Sequence, residues 1–437
     1  MNLLKPNKLL LVLLLILFSA TSGFSYKKVK SFVLVAPEQV LPGVKRIAVL
    51  DFEGTKTYGE DFANYLISKL LEDGRGMHDL RAGFLGMGAK KEGKTLQDGT
   101  SSRVYDIVER SRMVQVMQEQ QLGMSGLLDQ SQAVNLGKML GVQAIVMGKV
   151  QVTPTDRRVT ETRSYKKNGK KYTKKVRCTK RMVNTVVTAR IISTETGQIL
   201  GSKESTQKME SKKCEGDYGN LKTVAEMVSG CLRNSSEAIA NYFAPHYKLE
   251  TYELEKIKTK PFKNLAEKAA KDAENLNIDA AFLKYKSIYD KDPYNPKILY
   301  NLGIMHEVVG NFRKADEFYQ MAYQLKDEGK YEKAIKRVAK NVEFAKALAE
   351  MGVEIKEHEF RVTKAAMKQA LAKKVEIKGK REERIIIYAQ PQKGSEIVAR
   401  VPGGVTFPVI KREGNWFLIK LLGGKQGYIH KDKVNMK

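Results

Sequence analysis

The sequence predicts a multidomain protein in which an α+β domain is followed by an α-helical array and a small all-β barrel. Three observations predict this order. Strand and helix patterns alternate over the first half of the chain. Helical patterns with small residues, repeated at a spacing of about 34 residues, occupy the middle. Short β-branched runs between glycine-bearing turns end the chain.

The N-terminus predicts a secretory signal peptide. Lys5 and Lys8 precede an apolar run at 9–18, which is followed by small residues up to Gly23. This run is too short to span a membrane stably. We therefore expect cleavage between Gly23 and Tyr26 and export to the periplasm, and we leave association with the outer membrane open. Because no cysteine lies near this position, no N-terminal lipid anchor is expected.

The chain is strongly basic, with a formal net charge of +28. Its 42% apolar and 29% charged residues are typical of globular rather than disordered protein. Nucleic acid is the usual partner of a basic chain, but export argues against it. Anionic lipid headgroups, lipopolysaccharide phosphates or acidic cell-wall groups remain as partners. The alternative is that the charge only solvates the surface.

The segment Val104–Val150 predicts a strand, two helices and a second strand. Asp129 with Gln132 three residues later is typical of a capping box at the start of the second helix. Gly141 ends that helix, and the β-branched run after it predicts a buried strand. No residue of the segment indicates catalysis, so it forms a fold rather than an active site.

The order of short motifs in this segment resembles the curli assembly and secretion component family, CsgG. The motifs include SGLLD at 125–129 and LGKMLGVQAIVMGKV at 136–150, and the resemblance extends to a strand at 46–52, a hairpin at 189–200 and a helix at 227–243. It implies a non-enzymatic domain that serves surface-protein assembly at the outer membrane, with a homo-oligomeric ring as one arrangement. The alternative is a generic α+β domain with coincidental turns.

The resemblance breaks at the hairpin 155–181, which has its turn at Asn168 and Gly169. The matching hairpin of the family's channel is amphipathic and enters the membrane, whereas each charge at the bilayer midplane costs roughly 2–4 kcal/mol. The segment 202–220 is too short for a second pair of spanning strands. We therefore predict that the protein is not itself a transmembrane pore. This hairpin, the basic arm, contacts an anionic partner or is merely solvated. Its contact residues are expected to be Arg163, Lys166, Lys167, Lys170, Lys171, Lys174 and Lys175.

The three cysteines predict one disulfide and one free thiol. If the turn at 194–197 sets a two-strand register, Cys178 lies within one residue of direct opposition to Cys214, close enough to be bridged. Export to an oxidising compartment permits that disulfide. Cys231 is expected to be a buried free thiol in the helix at 227–243.

No catalytic residue, metal site or cofactor is predicted. GAKKEGKT at 88–95 matches the phosphate-binding pattern GxxxxGK[ST], but that chemistry needs a strand before the loop and a helix after it. Residues 96–102 are unsuited to begin a helix, so we interpret 73–102 as a flexible glycine-rich loop. The five histidines are scattered without metal-ligand spacing. We therefore expect no enzyme.

Pro296–Leu325 resembles a tetratricopeptide repeat (TPR). Small residues at its packing positions allow two antiparallel helices to approach closely. A degenerate earlier copy and a partial later one at 326–342 extend the array. The resemblance implies a groove that binds a protein partner, and a purely structural spacer is the alternative. The packing positions are Leu302, Gly303, Ala315, Tyr319 and Ala322.

Residues 384–434 resemble a bacterial SH3-like domain. Short strands are predicted at 385–388, 397–401 and 405–410, and Trp416 lies in a fourth. Trp416 is expected in the core rather than at a ligand. The resemblance implies a protein partner or a cell-wall peptide, and nothing in the sequence selects between them.

Together these patterns predict an exported, non-enzymatic envelope protein. We expect an assembly or secretion scaffold at the outer membrane, of the curli type. The alternative is a periplasmic binding or regulatory module for peptidoglycan synthesis or cell-wall attachment. The predicted segments are a signal peptide at 1–25, a CsgG-like domain at 26–250, TPR-like repeats at 263–345, a helical linker at 346–380 and an SH3-like domain at 381–437.

Overall fold

The structure is a computed structural model that describes residues 27–81, 90–109, 115–118, 130–360, 373–380, 382–421 and 425–436. The predicted signal peptide and the capping residue Asp129 lie outside the described residues. Within the described ranges, no helix is both long enough and apolar enough to cross a membrane.

The first half of the chain forms a mixed six-stranded sheet flanked by helices. The elements are β1 (Lys28–Val35), β2 (Arg46–Val49), β3 (Glu53–Gly54), α1 (Tyr58–Leu71), β4 (Leu80–Arg81), β5 (Lys90–Lys91), β6 (Asp106–Ile107), α2 (Gln130–Leu140), β7 (Ala144–Lys167), β8 (Lys170–Ser193), β9 (Ile199–Cys214), α3 (Val224–Phe243) and β10 (His246–Glu253). Strand order in the sheet is β6-β2-β7-β8-β9, with β3 beside β7. The strand β2 is parallel to β6 and β7, whereas β8 is antiparallel to its neighbours β7 and β9.

Both faces of this sheet are covered, which explains the continuous apolar runs of its central strands. Successive strand residues point to opposite faces. Val146 therefore packs with α1 and α3, around Phe62 and Phe243. Its neighbour Ile145 packs with α2 on the other face, against Leu136. A three-layer α/β arrangement follows, and the predicted strands and helices fall within it.

A two-stranded antiparallel ladder of β1 and β10, absent from the sequence prediction, forms a separate sheet and packs against the helices that follow. Every residue of β1 after Lys30 is buried. The strand also follows directly after the predicted cleavage region, where the chain gives no turn signal to mark its start. The ladder joins the two ends of the first domain, because Lys28 pairs with Glu253 and Val35 with His246.

Five antiparallel helices form the array that follows. Gly303 lies against the Tyr319 ring so closely that a Cβ at this position would overlap the ring. The residues at the five predicted packing positions are all buried. The partial third copy is one long helix rather than a pair. The helices are α4 (Lys263–Glu274), α5 (Ile278–Tyr289), α6 (Pro296–Val308), α7 (Phe312–Leu325) and α8 (Gly329–Glu350).

The C-terminal part is a seven-stranded antiparallel sheet with its own small core. It starts earlier than predicted, because β11 precedes residue 381 and pairs with the strands β14 and β17. The strands are β11 (Lys374–Ile377), β12 (Arg384–Tyr388), β13 (Ile397–Pro402), β14 (Thr406–Glu413), β15 (Trp416–Lys420), β16 (Gln426–His430) and β17 (Val434–Met436).

Within the helical linker predicted over 346–380, the described residues are helical only up to Glu350. The helix α8 ends at Glu350, and Gly352 adopts a left-handed φ of 82° that terminates it. Residues 353–360 have no regular secondary structure, and β11 begins at Lys374. The charged composition of this region favours a helix, but residues 353–360 pack onto the helical array in an extended form instead.

Candidate functional site

The basic arm is the outer part of a long two-stranded ribbon. Pairing of β7 with β8 is uninterrupted from Ala144 opposite Ser193 to Lys167 opposite Lys170. Asn168 and Gly169 adopt φ of 47° and 76°, as a two-residue hairpin turn requires. The predicted hairpin and its turn are therefore confirmed.

The strand β9 adds a third strand to the base of the arm and ends at Cys214. The segment 202–220, expected to be a short connection, is therefore mostly strand. A bulge shifts its register, since Ile192 faces Ile199 whereas Ile191 faces Gly201. That one-residue shift brings Cys178 directly opposite Cys214, and the structure joins them by a disulfide.

One face of the arm, which we call the disulfide face, is covered near its base by packing and ion pairs and is exposed farther out. Around the disulfide, Val176 and Cys178 are buried. The Arg163 guanidinium forms a two-bond ion pair with Asp217, which also accepts a hydrogen bond from the Cys214 backbone N–H at 2.9 Å. The hydrogen bonds from Arg163, which have the largest effect, and from the Cys214 backbone lower the pKa of Asp217 to about 2. Arg163 is therefore a structural cation rather than a free one.

The opposite face, which we call the cationic face, carries only basic and hydroxyl side chains. Because directly paired residues share a face, the register assigns it without ambiguity. Nine of its ten residues are exposed and Thr179 is half-buried. None of its five cations forms an ion pair with a described residue. The face comprises Arg158, Thr160, Thr162, Ser164 and Lys166 of β7, and Lys171, Thr173, Lys175, Arg177 and Thr179 of β8.

The seven cations predicted for the arm are thus divided between its faces. Lys166, Lys171 and Lys175 lie on the cationic face. The register places the other four on the disulfide face, namely Arg163, Lys167, Lys170 and Lys174. The prediction missed Arg158 and Arg177, although the alternation of strand residues from the turn outward would have identified both.

The chain itself packs against the helical array at residues 254–257. The Asn301 side chain donates to the Glu255 carbonyl at 3.0 Å and accepts from the Glu255 N–H at 2.8 Å. Leu254 and Ile257 on either side are buried in the core of the array. A partner of the array would have to displace this segment or bind elsewhere.

Trp416 lies outside the C-terminal core, contrary to expectation. Its neighbour Phe417 fills the core instead, whereas Trp416 makes edge-to-face contacts with Tyr388 and His430. These three rings line a cavity of about 410 Å³, together with Lys393, Lys433, Arg384 and the single acid Glu383. Aromatic side chains beside an excess of basic groups suit an amphipathic ligand that carries carboxylates.

The described part of the phosphate-binding match, residues 90–95, does not form a phosphate cradle. Its last residues are extended, because the Lys94 carbonyl accepts a hydrogen bond from the Phe32 N–H at 2.9 Å and Thr95 is bridged to β1. No helix follows within residues 90–109. The flexible-loop interpretation is also wrong for the described part of 73–102, since the fully buried Arg75 donates to the Ser102 carbonyl at 2.8 Å.

Among the described residues, one group of side chains has ligand atoms close enough together to hold a metal ion. Ligand atoms of Glu161, Cys178 and Cys214 lie within 4.8 Å of one another. The disulfide removes both thiolates, and the Glu161 carboxylate accepts hydrogen bonds from Lys212 at 2.6 and 2.8 Å. In the oxidised protein this group is structural. Cys231 is free and buried in α3, as expected.

Comparison with known proteins identifies two families. Residues 95–239 match the family of curli production assembly/transport component CsgG, and residues 383–435 match the bacterial SH3 domain. No curated protein matches the chain. The LpoB C-terminal domain from Salmonella enterica is similar at 10% identity and a TM-score of 0.20, over 39% of this chain and 87% of that one. Lipoprotein GNA1162 from Neisseria meningitidis is similar at 11% identity and a TM-score of 0.21, over 45% and 99%.

Proposed function

The chain contains a CsgG family domain at residues 95–239 and a bacterial SH3 domain at 383–435, and from this premise we propose that it is a non-enzymatic scaffold of the cell envelope. Its role is assembly or secretion of surface protein at the outer membrane. The CsgG domain supplies the assembly platform, and the helical array and SH3 domain supply the contacts with protein partners or cell wall.

The observation that carries this proposal is the chemistry of the basic arm. A strand that lines a pore in a membrane must turn alternate apolar side chains to the lipid. The cationic face has no apolar side chain along its ten positions, and the disulfide face is covered near its base by Asp217 and Cys214 and carries exposed lysines farther out. The arm therefore suits a surface contact in water, and the protein assists assembly without forming the pore itself.

Deletion of the gene tests the scaffold role. We expect loss of surface fibres or of a secreted surface protein, restored by the wild-type chain and not by a chain with an arm shortened to a tight turn between Thr155 and Arg181. The purified protein should give no ion conductance in planar bilayers. Unchanged surface protein after deletion, or stable single-channel conductance, would refute the proposal. Electron microscopy of the purified protein tests the ring arrangement.

A second function, regulation or attachment at the cell wall, is favoured by the cavity at Trp416. Wall peptides carry carboxylates, which the basic groups of the cavity can bind while the three rings pack against the peptide stem. Sedimentation with purified peptidoglycan should retain the wild-type chain, and Trp416→Ala should release it. Ile410→Ala, at an exposed apolar position of the same sheet, is the matched control. Equal retention of wild type and Trp416→Ala would exclude this site.

A further inference from the structure

We propose that the tip of the basic arm, residues 160–177, binds the headgroup layer of an anionic membrane as a peripheral contact. This proposal deepens the proposed function by naming the partner of the arm, and it rests on an envelope location. The tip comprises the eight residue pairs beyond the disulfide, from Thr160 opposite Arg177 to Lys167 opposite Lys170. It therefore extends roughly 25 Å past the third strand.

Charge on the tip is positive on both faces and largely uncompensated. Residues 160–177 contain eight lysines and arginines, four on each face, against a single acid, Glu161. That acid lies on the disulfide face and is engaged by Lys212. The nearby Asp217 is engaged by Arg163 on the same face. The cationic face and the outer lysines of the disulfide face remain exposed to act on the surroundings.

Like charges face each other near the turn. Lys166 is directly opposite Lys171, and Lys167 is directly opposite Lys170. Directly opposed like charges destabilise an antiparallel pair. Negative groups on a partner surface would remove this repulsion. If the arm were only solvated by water, opposed pairs of lysines would bring no benefit. The arrangement is therefore suited to a layer of closely spaced negative groups.

A pair of tyrosines distinguishes lipid from other polyanions. Tyr165 and Tyr172 are directly opposite each other on the disulfide face, with ring centroids 5.8 Å apart and an interplanar angle of 25°. Each ring remains largely exposed, at 49% and 44%. Tyrosine prefers the membrane–water interface, where the ring is apolar and the hydroxyl stays hydrated. The rings stack on each other rather than standing apart to receive a nucleic-acid base.

The base of the arm holds this tip in place. The disulfide at Cys178 and the Arg163–Asp217 pair join β8 and β7 to the end of β9 and the turn that follows it. The disulfide lies directly below the tip, and the Arg163–Asp217 pair holds the lower part of the tip itself. The tyrosine pair and the turn lysines Lys167 and Lys170 share one face, and Lys166 and Lys171 lie on the other. An end-on approach of the tip therefore brings the rings and the lysines to the membrane together.

Vesicle sedimentation with the full chain tests the proposal. We expect binding to phosphatidylglycerol-containing vesicles, none to pure phosphatidylcholine vesicles, and loss of binding as salt is raised, because surface attraction is screened. Lys166→Ser/Lys171→Ser should weaken binding on the order of 25-fold, at about five-fold per cation. The exposed pair Lys346→Ser/Lys420→Ser is the matched control and should bind like wild type.

A second variant separates lipid from soluble polyanions. Tyr165→Ser/Tyr172→Ser should weaken vesicle binding several-fold while leaving the salt dependence unchanged. If this variant binds vesicles like wild type, or if inorganic polyphosphate or a single-stranded oligonucleotide is bound more tightly than the vesicles, the lipid assignment is overturned. Circular dichroism and an intact disulfide establish that each variant is folded. Because vesicle binding is measured on purified protein, it can succeed or fail independently of the secretion phenotype.

Discussion

At the scale of single residues, several charged or polar groups have environments that sequence patterns do not reveal. His306 is the clearest case. Its ring stacks on Phe318 and meets the edges of Phe282 and Phe360, and its Nδ1 is buried without a hydrogen-bond partner. Burial, assisted by the charge of Lys314, lowers the pKa of His306 to about 4. The helical array therefore contains a histidine that must stay neutral.

This histidine makes the array sensitive to mild acid. Because the pKa is lower in the folded chain than the ordinary 6.5, the unfolded chain binds more protons between these values, and stability falls as pH drops from 6.5 to about 4. The full loss is about 3 kcal/mol. Urea unfolding followed by helical circular dichroism should show this loss, and His306→Gln should flatten it.

His78→Gln is the matched control, since this side chain is exposed and its substitution should leave the slope unchanged. An identical pH dependence in His306→Gln and wild type would show that the acid sensitivity arises elsewhere.

At the scale of elements, the base of the arm is three-stranded, and one covalent bond fixes the end of its third strand, β9. The disulfide closes a chain segment with a sequence separation of 36. In the loop-entropy account such a bond contributes about 4 kcal/mol, by restricting the unfolded chain. Loss of the disulfide should therefore have a local effect, because no other covalent bond joins β9 to β8 and the arm lies away from the main core.

Cys178→Ser/Cys214→Ser should therefore loosen the arm before it unfolds the domain. Hydrogen exchange should accelerate at residues 208–214 and in the tip, while α1 and α3 keep their protection. Cys231→Ala serves as the matched control. Mass spectrometry of the unreduced, denatured wild type should show Cys231 as its one free thiol. Free thiols at Cys178 and Cys214 would contradict the pairing.

The same elements show what the sequence could and could not predict. The arm was predictable because the turn at Asn168 and Gly169 and the alternation of strand residues are local signals. The bulge at Leu200 was not, because it depends on how β9 packs against the sheet, and it moves the register by one residue. The ladder of β1 and β10 pairs segments that are distant in the chain. The end of α8 at Glu350 has a local signal in Gly352, which the charged helical pattern around it concealed. Trp416 and Phe417 are adjacent in one strand and point to opposite faces of the sheet, so only tertiary packing decides which of the two rings enters the core.

At the scale of the whole molecule, the helical array is fixed to the first domain by two extended segments. One is 254–257, held by Asn301. The other is 353–360. The Asn311 side chain of the array donates to the His358 carbonyl of this segment at 2.7 Å, and the Lys356 N–H of the segment donates to the Asp98 carbonyl at 3.0 Å. Both use an asparagine side chain to pair with an isolated backbone. The array therefore acts first as a clamp on its own chain.

Removal of one clamp should change the arrangement of the molecule more than the stability of its parts. Asn301→Ala leaves the buried Glu255 N–H and carbonyl unpaired, at a cost of about 2–3 kcal/mol, and this cost falls on the junction rather than on the helices. Small-angle X-ray scattering should show a larger radius of gyration, and proteolysis should become faster at 256–262. Helical circular dichroism should stay unchanged. Gln324→Ala, at an exposed position of α7, is the matched control. If the variant remains as compact and as resistant as wild type, the Leu254 and Ile257 side chains alone hold the junction, and the asparagine pair is not its determinant.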